Sequence, residues 1–143
     1  MAHLEKAIVQ EIKDDATLAP LVLRSGSDYH IYPNAIPQDF LQESNTDAVY
    51  IVYNRISTRY NQLFGYMITN IQFSIFAHKY SKAVEAREAL FDIFHRFKKD
   101  TLGSGLNTRS VEFSWFTNTA ELKDKDSNMH QIVVETSFKY REE

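Results

Sequence analysis

The chain has 143 residues and a mass of 16.7 kDa, carries a formal charge of −3 with a pI near 5.9, and contains no cysteine. Disulfides and cysteine-based zinc or iron–sulfur sites are therefore excluded. The acidic balance argues against general binding to a phosphate backbone, and no apolar run reaches the roughly 18 residues of a membrane span.

The length fits one domain, 1–143, and neither an internal repeat nor a low-complexity linker divides it. The opening stretch, MAHLEKAIVQEIKDD, is acid-rich and amphipathic, unlike a signal peptide. Within residues 2–13, Leu4, Ile8 and Ile12 with Ala7 share one helical face. Asp14 and Asp15 fit as a cap for a second short turn, ATLAPLV, broken at Pro20. RSGSD, 24–28, is a turn by composition, and YHIY, 29–32, is a candidate short strand. IYPNAIPQDF, 31–40, then places two prolines four apart. Each forces the residue before it into extended backbone, so neither a helix nor a central strand continues through. Ile36 and Phe40 are too apolar for a plain solvated linker. They suit either a stiff arm laid on a neighbouring subunit or a cover for the chain's own core edge.

Residues 47–59 predict a strand, with Val49, Ile51 and Tyr53 on one face and Ala48, Tyr50 and Val52 on the other. TRYNQLFG, 58–65, predicts a hairpin loop closed by Gly65, and 66–79 a half-buried antiparallel strand. Ser81 is a good N-cap for the helix KAVEAREALFDIFHRFKK, whose stripe is Ala83, Ala86, Leu90, Phe94 and Phe97. TLGSG, 101–105, predicts its end, with Gly103 supplying the positive φ of a helix stop. Residues 109–116 alternate as a strand, 119–128 form a charged loop, and QIVVETSFKYRE closes with Ile132, Val134, Thr136, Phe138 and Tyr140 on one face. The expected fold class is α+β: an antiparallel sheet of about four strands packed by an N-terminal helix and one central amphipathic helix, a two-layer sandwich.

Chemistry is sparse. No phosphate-cradling glycine loop, HExxH or GxSxG occurs. His3, His30, His78, His95 and His130 are dispersed, and the carboxylate pairs fall in loops or at helix ends, where solvated charge is the plain reading. DKDSN, 124–128, is oxygen-rich but lacks the glycine and closing glutamate of a calcium loop. The expectation is no enzyme, no cofactor and no metal. The aromatic surplus (Tyr50, Tyr53, Tyr60, Phe64, Tyr66, Phe76, Phe116, Tyr140) exceeds what one core face can hold. It suits isolated surface rings or a sheet face buried in an oligomer or partner.

The order N-terminal helix, IYPNAIPQDF, AVYIVYNRIS, QFSIFA, polar break, alanine-rich helix resembles phage minor tail proteins of the tail terminator, or tail completion, type. The likeness runs from about residue 4 to about 138. The chain departs from the pattern in LQESNTD, 41–47, which lengthens the lead-in to the strand, and in Ala48 or Val49 where proline often stands. The resemblance implies an assembly role. On that likeness, copies would form a hexameric ring at the head-proximal end of the virion tail, assembled in the host cytoplasm. The ring would cap the tail tube protein and meet the head connector or completion protein, while DNA passes through the bore without specific binding. From the loops at the sheet ends, independently of that likeness, the candidate subunit or partner contacts are Arg59, Tyr60 and Phe64 in one loop and Glu121, Lys123, Asp124 and Lys125 in the other, with Ile36 and Phe40 in the proline segment. The competing class is a small-molecule-binding or regulatory α+β domain whose sheet aromatics line a pocket.

Overall fold

The structure, a computed structural model, describes residues 3–37, 47–61, 63–96, 101–124 and 129–141. Helix α1 (Leu4–Asp14) buries Leu4, Ala7, Ile8 and Ile12, the face its spacing predicts. Asp15 ends it and begins the next turn, its Oδ2 accepting the backbone N–H groups of Thr17 at 3.2 Å and Leu18 at 2.8 Å. Helix α2 (Ala19–Val22) keeps Pro20 inside its first turn, where the missing N–H costs nothing. Two short strands follow, β1 (Leu23–Ser25) and β2 (Asp28–Tyr29), paired with each other.

The main sheet has five strands: β3 (Ile31–Pro33), β4 (Val49–Asn61), β5 (Tyr66–Ala77), β8 (Phe113–Asp124) and β9 (Met129–Arg141), in the spatial order β3-β4-β5-β9-β8. Four mutually antiparallel strands are present as expected, but the strand expected over 109–116 is split: residues 109 and 110 pair outside this sheet, and β8 starts only at Phe113, which is exposed while Ser114 is buried. The fifth corrects the expectation: β3 lies parallel to β4, Ile31 against Ile51 and Pro33 against Tyr53. Proline has no N–H to offer, so a strand ending on it is tolerated only at the edge of a sheet. The proline segment is thus the rim of the sheet as well as a loop.

Helix α3 (Tyr80–Phe94) crosses one face of this sheet. It begins at Tyr80, with Lys79 in the cap position and no side-chain cap, so Ser81 does not cap it. Its buried stripe is Ala83, Ala86, Leu90 and Phe94, as expected; Phe97 lies outside the described residues. The Phe94 ring sits between Phe73 (5.6 Å, near-parallel) and Phe138 (5.5 Å, edge-on). Burying such a ring contributes about 2–3 kcal/mol. The helix stops here because Ser114 Oγ donates to the Phe94 carbonyl at 2.5 Å and Arg96 turns to φ 56°.

TLGSG is not that stop. It belongs to a ribbon of β6 (Thr101–Ser104) and β7 (Asn107–Ser110) that packs on α1. Gly103 has the positive φ expected of it, +84°, but uses it inside the ribbon, where a Cβ would lie 2.0 Å from the Asn107 carbonyl oxygen and 3.1 Å from that of Ala7 on α1. Its N–H donates to Glu11 Oε1 at 3.1 Å. Leu102 of the ribbon and Val111 just after it enter the same core as α1, α3 and the sheet residues Val49, Ile51, Ile71, Phe73, Ile75, Ile132, Val134 and Phe138.

Two further boundaries move. Strand β4 continues to Asn61, because a bulge between Arg55 and Ser57 shifts the alternation and disguises the later residues as loop. Strand β8 continues through 119–124, expected as charged loop, because its pairing with β9 runs on past a second bulge between Phe116 and Asn118.

Candidate assembly surfaces

The helix-free face of the sheet is apolar at the end where β4 begins. Tyr50, Ala48 and Met129 are buried there, and Tyr32, Phe76 and Ile36 pack against them. His30, itself buried, lies against the Tyr50 ring at 4.3 Å, and its Nδ1 and the Tyr32 hydroxyl share a hydrogen bond of 2.7 Å. After Pro33 the backbone turns over, with Asn34 at φ 70° and Asn34 N–H donating to the Tyr53 carbonyl. That turn sets Ile36 on its own sheet. The described part of the proline segment therefore covers this chain's second apolar face. Phe40 lies outside the described residues.

The tip of the β4–β5 hairpin lies at the opposite end. Tyr60 is 65% exposed, Leu63 84% and Phe64 62%, and Arg59 is exposed beside them. The turn is held by its own hydrogen bonds. Asn61 Oδ1 accepts the Phe64 N–H at 3.0 Å, Asn61 Nδ2 donates to the Tyr66 hydroxyl at 3.1 Å, and the Asn61 carbonyl accepts the Gly65 N–H at 2.9 Å. Gly65 supplies φ +69°. Arg141 Nη1 reaches across to the Phe64 carbonyl at 3.2 Å, Tyr66 stacks under Phe64, and Lys139 Nζ lies 4.3 Å from the Tyr66 centroid. An apolar knob whose described residues are tied down by these bonds loses less entropy on docking than a free loop.

Glu121 and Lys123 lie far from that knob, toward the other end of β8, and are exposed. Asp124 ends the strand opposite Met129, and Lys125 lies outside the described residues. Glu121 is bound within the chain. Its Oε1 accepts the Tyr80 hydroxyl at 2.8 Å and Arg87 Nη1 at 3.0 Å. The hydrogen bond to that carboxylate holds the Tyr80 phenol above its usual proton affinity. The two loop groups expected to act as contacts thus stand at opposite ends of the sheet, and the structure does not bring them together.

Between α3 and the edge strand β8 runs a groove of about 500 Å³ that sequence reasoning missed. Phe91 and Phe116 meet edge-on in it at 5.2 Å, with His95 stacked on Phe91 at 4.4 Å. Arg87, Glu88 and residues 117–119 complete its walls. Its sequence signal was Phe116, one of the surplus aromatics, with Phe91 beside the strict stripe of the helix. Among the described residues no group of three His, Asp or Glu could hold a metal, and no helix is long and apolar enough to cross a membrane.

No family model matches this chain, and no curated protein matches it. Among solved structures it is similar to a chain in the virion of a native gene transfer agent particle. That likeness has a TM-score of 0.69 at 18% identity and covers 97% of this chain and 95% of the other. At this identity what is shared is the fold, end to end.

Proposed function

We propose that this chain is a structural virion assembly protein: a ring-forming tail terminator that caps the tail tube and joins the tail to the head connector. The observation that carries the reading is the fold match over nearly the whole of both chains to a component of a gene transfer agent virion. The tail-terminator pattern of the sequence supports the finer assignment. The preordered apolar knob at Tyr60, Leu63 and Phe64 supports an assembling protein, since exposed aromatic clusters favour protein contacts. The partners are further copies in a ring, taken as six, the tail tube protein and the head completion protein. The chain's net charge of −3 suits a bore through which DNA slides without sticking.

The test is capping. Purified chain added to polymerising tail-tube protein should limit tube length and decorate one tube end, and light scattering should give a mass near six times 16.7 kDa on those ends or in solution. Tubes that elongate unchanged, with no chain at either end, would refute the assignment. A small-molecule-binding domain would need the α3–β8 groove as its pocket. That groove lies open along β8 and its Arg87 is already bonded to Glu121 and Glu88, so no observation favours that reading.

A further inference from the structure

We infer that the chain joins to a second copy of itself head to tail, the β4–β5 knob of one copy seated in the α3–β8 groove of the next. The inference rests on the ring reading above and names the surfaces that would build it. Three observations converge. First, the knob and the groove are separate places on one molecule. Strands β5 and β9 lie between β4 and β8 in the sheet, a span of about 14 Å at ordinary strand spacing, so no copy can fill its own groove. A contact between two different patches is heterologous, the kind that closes into a ring when the rotation allows.

Second, the polarities match. The knob presents Tyr60, Leu63 and Phe64, with an exposed apolar area of about 400 Å², half of one partner's share of a standard interface. The groove offers Phe91 and Phe116 as its floor. Beside it, β8 is the edge of the sheet, with neutral residues at 117–120 where a second strand can approach.

Third, the charges are complementary. From 56 to 68 the sequence carries a single charge, that of Arg59. At the groove, Glu88 on α3 and Glu121 on β8 set two carboxylates against Arg87, which is already in ion pairs with both. An acidic rim therefore meets a cationic knob, which steers the encounter and fixes its direction.

The absence of cysteine makes the test clean. Leu63→Cys and Thr117→Cys, both at exposed positions, are prepared as separate proteins and treated with a short bis-maleimide, singly and mixed. A head-to-tail contact should give a strong cross-linked dimer only in the mixture, and a ladder of higher species from the double variant. Phe64→Ala should weaken self-association about 30-fold, the loss typical of a central aromatic anchor, with an unchanged melting transition. If the chain self-associates but the mixture cross-links no better than either variant alone, the docking is overturned and the ring reading stands on other surfaces. If the chain stays monomeric and uncross-linked at high concentration, the docking is also overturned, and tube capping alone then decides the ring reading.

Discussion

Replacing Gly103 by alanine should destabilise the fold by about 3 kcal/mol, although no core side chain is touched. An alanine Cβ there would lie 2.0 Å from the Asn107 carbonyl oxygen and 3.1 Å from that of Ala7, both backbone atoms that cannot swing aside. The residue's φ of +84° adds strain of about 1–2 kcal/mol for any residue with a Cβ. Relieving the 2.0 Å clash must part β6 from β7 at Asn107, and the tighter contact with the Ala7 carbonyl strains the neighbouring Gly103 N–H bond to the Glu11 carboxylate, a charged hydrogen bond of about 1.5–3 kcal/mol. For a domain of this size 3 kcal/mol lowers the melting temperature by about 10 °C. Gly26→Ala is the matched control. It has the same sign of φ, +56°, with no atom within 4 Å, and should cost only about 1 kcal/mol. Urea denaturation of both variants measures the difference. Equal losses at the two positions would show that close backbone approach, to Asn107 above all, does not constrain position 103.

Two more predictions follow from single side chains. Thr136 is fully buried and its hydroxyl has no hydrogen-bond partner among the described residues, so Thr136→Val should hold or raise stability by about 1 kcal/mol, read by denaturant midpoint; a loss above that would mean the hydroxyl is satisfied. Asp47 is held below the ordinary carboxylate value of 3.8 by its hydrogen bond to Lys79 and then by that residue's charge. Its folded pKa being depressed, what the pair contributes is present above pH 3.8 and fades as pH falls through the lower folded value. An NMR titration should find the Asp47 midpoint under 3.8 and returning toward it in Lys79→Gln; a midpoint indifferent to that substitution would refute the pairing.

Much of the framework was legible before any coordinates. The 4-8-12 spacing of α1, the alanine-rich stripe of α3 and the alternation of β5 and β9 are periodic over ten residues or more, and each has one face in the core. An element buried on one side writes its period into the chain. The second apolar cluster around Tyr50 was foreshadowed by large residues on both faces of β4. The exposure of Tyr60 and Phe64 was foreshadowed by a surplus of rings that one core could not hold.

What only the tertiary structure decided are the elements whose partners lie far along the chain. Strand β3 is three residues long and shows its parallel pairing only beside β4. Residues 119–123 are all exposed and have no period, and pairing with β9 makes 119–124 strand. Gly103 announced a positive φ, but a helix end and a tight ribbon need the same φ, and only the pairing with β7 separates them. The groove joins Phe91 and Phe116, residues 25 apart in sequence, and a surface formed by two elements is written in neither alone. Local periodicity records burial; it does not record which neighbour does the burying, and here that decided both the sheet's edges and its docking surfaces.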